Sequence, residues 1–284
     1  MNNPRVFDRT RCRLGEGAFW HPLRGQFFWF DILAKRLMTR QGGQTISWQF
    51  DEHVSAAGWT GRDGLFVASE TGLWAFDIES GKRKLVVPLE AENPLTRSND
   101  GRSDPQGGFW IGTMGKSSQI GSGAIYRFHR GELRELYGGI TIPNAICFSP
   151  DGECAYFTDT LTRLIMRQKL DQEGWPMGDP TVHIDLSLEG LNPDGAVVDS
   201  AGCIWNAQWG ASRIARYDPD GVLISTVKLP VVQVSCPCLG GPNLSTLYVT
   251  SATEGLDAAG EMDGMTFFVE TEVRGQAEPP VILT

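Results

Sequence analysis

The sequence lacks most of the signatures that assign a chain to a common functional class. It has no basic run, and its 34 acidic residues outnumber 25 basic ones, for a net charge of −9. A surface of that sign is a poor partner for nucleic acid or an anionic membrane, and neither is expected as a partner. No apolar run approaches the roughly 20 residues that a bilayer-spanning helix needs. The opening MNNPRVFDRTRCRL has no apolar centre of the kind found in a secretory leader, so a cytoplasmic protein is expected. There are only four histidines, His21, His53, His129 and His183, with neither HExxH nor HxH spacing. His21 and His53 are candidates for lining a pocket, with a surface position the simpler reading. There is also no GxSxG elbow, no P-loop and no GxGxxG cradle. Cys236-Pro-Cys238 is too tight for a zinc pair, and no second pair completes a site. Buried, reduced thiols are expected for these two and for Cys12, Cys147, Cys154 and Cys203.

Long helical periodicity is missing as well, and short aromatic-rich runs such as FFWFDI, FWIGTM and CIWNAQW take its place. They recur in a pattern. HPLRGQFFWF, GRDGLFVAS, DPQGGFWIG, SPDGECAYFT, DSAGCIWNA and GPNLSTLYVT each pair a turn with such a strand. The turn positions are Gly25, Gly64, Gly107, Gly152, Gly202 and Leu244, at separations of 39, 43, 45, 50 and 42 residues. A sandwich spaces its turns every 8–12 residues, whereas a four-stranded propeller blade needs about 40–50. The fold expected is all-β, a six-bladed β-propeller forming a single domain over residues 1–284. An open ring leaves unpaired sheet edges. The N-terminal segment, which precedes the first repeat, is therefore expected to share a blade with the C-terminal TFFVETEV and so close the ring.

The inner strands of a propeller converge on a channel, where polar residues distant in sequence can meet. Glu16, Asn99, Asn144 and Asp194 interrupt the apolar grammar near their repeats. Asn99, Asn144 and Asp194 each stand five residues before a turn residue, Asp104, Ser149 and Asp199 respectively. Equal register predicts equal height on the channel axis. Oxygen donors of this kind suit a hard divalent cation. Arg97, two residues before Asn99, has no role in a turn and is expected to face the same channel. Trp110, Trp205 and Trp209 are candidates for an apolar pocket wall, blade packing being the simpler reading.

Together the segments LGEGAFW, RSNDGRSDPQGGFWIGTM, NAICFSPDG, NPDGAVVDSAGCIW and LYVTSA resemble the gluconolactonase and regucalcin family, which includes bacterial sugar lactonases. The likeness runs from residue 14 to about 252, and its most specific block is the one that holds Arg97 and Asn99. The resemblance implies a six-bladed propeller with one divalent cation in its channel. It implies Glu16, Asn144 and Asp194 as metal ligands, and Arg97 and Asn99 as substrate-binding residues. Ala18 and Ala145 stand where the family usually has Pro and Gly. A positive φ at Ala145 is expected to cost on the order of 1 kcal/mol.

The function expected is a metal-dependent lactonase that opens a sugar acid lactone such as glucono-, xylono-, arabinono- or galactonolactone. The cation polarises the carbonyl, and Asp194 is the catalytic residue that takes a proton from water. Calcium, magnesium and manganese match the oxygen ligands, with zinc and iron(II) also compatible. Two alternatives stand beside it: a non-catalytic calcium-binding or regulatory propeller, and a phosphotriesterase or promiscuous lactonase on the same fold. Arg97 favours a substrate, since a metal buffer has no use for an inward cation.

Overall fold

Runs of aromatic and β-branched residues that follow a tight turn suit strands covered on both faces. In the computed structural model, which describes residues 3–284, each repeat forms one antiparallel four-stranded sheet. The innermost strands are Gly15–His21, Val54–Trp59, Thr96–Ser103, Pro143–Phe148, Asn192–Val198 and Gln233–Gly240. They pack against one another from sheet to sheet around a central channel. The fold is a six-bladed β-propeller, all-β, with no α-helix among the described residues.

The sixth blade departs from chain order. Its outermost strand is the N-terminal Arg5–Asp8, antiparallel to Thr266–Glu270, with Arg5 opposite Phe268 and Val6 opposite Phe267. The two ends of the chain thus close the ring, as expected from the spare N-terminal segment.

The turn that marks each repeat joins the innermost strand to the second strand. Its backbone is left-handed at Gly25, Gly107, Gly152 and Gly202, with φ of 60°, 84°, 73° and 82°. The sixth copy adopts the same conformation with Leu244, at φ 56°. A Cβ in that region is strained, which is why glycine recurs there. Gly64 differs, because it already lies within its strand, Gly64–Ser69.

The apolar core lies between neighbouring blades. Phe28, Phe30 and Leu37 of the first blade pack with Leu65, Val67 and Phe76 of the second. Trp205 and Ile214 of the fifth pack with Leu247, Val249 and Phe267 of the sixth. All six cysteines are buried and free. Polar staples hold the lower turns. Asp104 accepts Gly108 N at 2.8 Å and Arg127 Nε at 2.7 Å, both side chains being fully buried. Asp199 repeats the device two blades on, with Cys203 N at 3.0 Å, Trp205 Nε1 at 2.9 Å and Arg216 Nη2 at 2.7 Å.

Residues after Glu270 cross the lower end of the channel. Gln276 Nε2 donates to Phe148 O and Val198 O at 3.2 and 3.1 Å. Trp59 Nε1 donates to Glu278 O at 2.8 Å, and Ile282 N to Gly107 O at 2.8 Å. At the centre, Arg102 Nη1 reaches both carboxylate oxygens of Glu278, at 3.2 and 3.0 Å. This pair is nearly buried, with side-chain exposures of 8% and 10%.

Two outcomes follow for stability. Glu278→Ala leaves the Arg102 guanidinium buried without its counter-charge and is expected to lower the unfolding free energy by about 3–5 kcal/mol. Urea denaturation checks this, and a loss below about 1 kcal/mol would mean that water reaches Arg102 freely. Leu244→Gly is expected to raise stability by about 0.5–1 kcal/mol by removing the left-handed strain. An unchanged urea midpoint would show that the leucine side chain contributes as much by packing as its backbone conformation costs.

Candidate active site

All six innermost strands break their pairing at the same level. Each carries one extra residue relative to its partner strand, between Glu16 and Phe19, Val54 and Ala56, Ser98 and Gly101, Asn144 and Cys147, Pro193 and Ala196, and Val234 and Pro237. A bulge bends the strand and re-aims the side chains beside it. The register shared by Asn99, Asn144 and Asp194 is therefore a register of bulges, and it extends to Glu16, Ser55 and Ser235.

The bulges bring the sequence-predicted residues together. Glu16, Arg97, Asn99, Asn144 and Asp194 all line one cavity of about 250 Å³ at the upper end of the channel. Each is at most 6% exposed. Gly17 takes φ 57°, and a Cβ on it would lie 2.1 Å from Ser55 O, so the glycine after Glu16 is required. Ala145, after Asn144, takes φ 55°. The strain expected from its positive φ is present, and its methyl is wholly buried among Cys147, Tyr156 and Val198.

The hydrogen bonds assign distinct roles. Arg97 Nη1 donates to Ser98 O and to Asn99 Oδ1, both at 2.8 Å. Its Nε is buried with no protein partner. Asn99 Nδ2 donates to Pro143 O at 3.0 Å and to Asn144 Oδ1 at 3.1 Å. Both amide protons of Asn99 are thus used within the protein, and it offers a ligand only the spare lone pair of Oδ1. Asn144 Nδ2 donates to Thr160 Oγ1 at 2.9 Å, and Thr160 Oγ1 to Pro193 O at 2.7 Å. This chain fixes the Asn144 amide with its oxygen toward Asn99.

Charge is concentrated here on nearly buried side chains. Burial, then the charge of Asp100, pushes the Glu16 carboxyl up to about 8. Burial and then the charge of Glu16 hold Asp194 well above the usual carboxylate range. Burial pulls Arg97 down to about 10 against the opposing charges of Glu16, Glu254, Glu70 and Asp194, so it remains a cation near neutrality. Asp100, raised to about 6 by burial, accepts Ile146 N at 2.8 Å and ties the third blade to the fourth.

Several lining residues escaped the sequence reading. Lys116, Thr160 and Glu254 line the cavity from loops just beyond the second strands of their blades. Leu33 does so after Gln26–Asp31. The position recurs from blade to blade, so the repeat alignment carries the signal that would have found them. Of the three candidate tryptophans only Trp209 reaches the cavity; Trp110 and Trp205 are buried within their blades. His21 is not on the surface: it is fully buried, with Nε2 3.0 Å from Gly61 O. His53 is half-buried against Glu70, outside the cavity.

A model of the SMP-30/gluconolactonase/LRE-like region matches residues 14–253. The chain belongs to this family. Among its relatives, an L-arabinolactonase of Azospirillum brasilense is 36% identical over 279 residues, 94% of this chain and 92% of that protein. A 6-deoxy-6-sulfogluconolactonase of Pseudomonas putida is 34% identical over 277 residues, 94% of each. The crystal structure of a calcium-binding protein, regucalcin, from Agrobacterium tumefaciens str. C58 matches with a TM-score of 0.96 at 40% identity, covering 98% of this chain and 97% of that one. The family match spans both the bulged inner strands and the loops around the cavity.

Proposed function

We propose that the protein is a divalent-cation-dependent lactonase that hydrolyses sugar acid lactones to aldonic acids. One juxtaposition carries the reading: a buried guanidinium with an unused Nε donor lines the same cavity as the buried carboxyls of Glu16 and Asp194. The sugar lactone substrates named for two relatives support it, and the calcium-binding neighbour supports a hard cation.

The donor set fits such an ion. Among the described residues no three His, Cys, Asp or Glu side chains form a metal cluster, so a site here takes its third protein oxygen from an amide. Glu16, Asn144 and Asp194 provide two carboxylates and one carboxamide, and burial drives both carboxyls up despite the opposing charge of Arg97. Those three residues would hold the cation, which when bound supplies Lewis-acid polarisation of the lactone carbonyl. Calcium, magnesium or manganese suits the set best.

The remaining work falls to side chains. Arg97 donates to the lactone or hydroxyl oxygens, and Asn99 Oδ1 keeps its guanidinium in place. Leu33, Met114, Ile142 and Trp209 supply an apolar wall for the C–H side of the ring. A water adds to the carbonyl carbon while Asp194 accepts its proton. The tetrahedral adduct expels the ring oxygen, the ester C–O bond breaks, and the proton passes to the released hydroxyl.

The direct test is a panel of aldonolactones and a pH indicator, with cation supplied or chelated. Acid release is expected with cation and is expected to cease on chelation, while circular dichroism keeps its β-sheet signal because the blades carry their own core. Full-rate hydrolysis in chelator would sink the cation's role. Arg97→Ala is expected to lose about 1.5–3 kcal/mol of transition-state binding for sugar lactones but little for unsubstituted ones. Equal losses in kcat/KM for both kinds would make Arg97 structural. At saturating cation, Asp194→Asn is expected to lower kcat about 10²–10⁴-fold further than Glu16→Gln, since only the first removes the proton acceptor. Near-equal residual kcat would leave Asp194 as a ligand alone.

A further inference from the structure

The six blades provide an internal comparison at the ladder position opposite the lower end of each bulge. In five of them the residue there is Phe28, Ala68, Ile111, Tyr156 or Val249. In the fifth blade, which carries Asp194, it is Asn206, paired with Ala196. Asn206 is wholly buried and does not line the cavity. Its Nδ2 donates to Asp194 O at 3.0 Å and to Gly195 O at 3.3 Å. Its Oδ1 has no partner among the protein's groups.

Burying an amide with one end unpaired is unfavourable where an apolar side chain suffices. Aromatic and aliphatic side chains fill the position in the other blades, so packing alone does not call for Asn206. The two carbonyls it binds belong to the residues that the bulge leaves out of strand pairing, Asp194 and Gly195. Two acceptors side by side admit only the NH2 end of the amide, which sets its orientation. Gly195 is confined from the other side as well, because a Cβ on it would lie 2.8 Å from Cys236 Sγ. The Asp194 backbone is thus held between the sixth blade's inner strand and the Asn206 amide.

We propose that Asn206 is the positioning residue for Asp194: by clamping both bulge carbonyls it fixes the direction in which the Asp194 carboxylate enters the channel. The consequence for catalysis rests on reading Asp194 as a cation ligand and proton acceptor. A residue in this supporting role is expected to affect cation affinity and turnover rather than substrate binding.

Asn206→Val tests this, because Val249 already occupies the equivalent place in the sixth blade; Asn206→Ala, after Ala68, serves if the valine variant fails to fold. With calcium or manganese titrated calorimetrically, the variant's cation affinity is expected to fall about 10-fold or more. At saturating cation, kcat on an aldonolactone is expected to fall about 10-fold with KM within about twofold. A crystal structure of the variant is expected to show the Asp194 carboxylate displaced relative to Glu16 and Asn144. A folded variant with unchanged cation affinity, unchanged kcat and Asp194 in place overturns the proposal. If the wild-type protein neither binds cation nor opens lactones, the functional reading fails. The position of Asp194 in the variant then decides the clamp separately, and an unmoved carboxylate refutes it.

Discussion

The extra residue in each innermost strand is the constraint on which the rest of the channel depends. A regular strand would alternate its side chains between the two faces of the blade. A bulge interrupts that alternation, and repeating it in six blades lets four of them place a polar side chain in the same channel cavity. Glu16, Asn99, Asn144 and Asp194 line the cavity, while Ser55 and Ser235 spend their hydroxyls on Ser98 Oγ and Gly15 O between neighbouring inner strands, so the chemistry of the channel is set by which residue each blade places at its bulge. The strain at Ala145, the exclusion of a Cβ at Gly17 and the amide clamp of Asn206 all serve this one geometric requirement.

Electrostatics divides one strand into two functions. Thr96–Ser103 carries Arg97 near its upper end and Arg102 near its lower end. Arg102 is matched by Glu278, and both charges are used up in holding the tail. Arg97 sits among several carboxyls without a matched partner and keeps a donor free. Both arginines are buried and each leaves its Nε unpaired, so the partner distinguishes them: Arg102 Nη1 meets the Glu278 carboxylate, whereas Arg97 Nη1 meets only the neutral Ser98 O and Asn99 Oδ1. Acid groups at the cavity repel one another, and this suits a site meant to receive a cation more than one meant only to be stable.

Much of the fold was legible because local physics repeats. A left-handed turn needs glycine, and a strand covered on both faces needs aromatic and β-branched residues, so the blade period shows in the letters. The register of Asn99, Asn144 and Asp194 was legible for the same reason. What stayed hidden depends on contacts between distant segments. Nothing near Glu278 announces that it meets Arg102, and nothing near His21 announces that Gly61 O will accept its ring nitrogen. The spacing placed the sixth turn at Leu244, but nothing in that residue type announces the left-handed conformation it adopts. Thr160, Lys116 and Glu254 read as ordinary loop residues until the blades are superimposed and their common position appears.

The closure of the ring by Arg5–Asp8 also sets a timetable for synthesis. Arg5–Asp8 is synthesised before every other described strand, and its partner, Thr266–Glu270, after all of them. At about 5–20 residues per second the interval is on the order of tens of seconds. Over that time blades one to five can form in order, each resting on the one before, while the N-terminal strand remains an unpaired β segment. The nascent propeller is therefore an open arc until Thr266–Glu270 emerges, and a ribosome stalled before that strand holds five blades and an unclosed sixth, with Arg5–Asp8 still free to pair elsewhere.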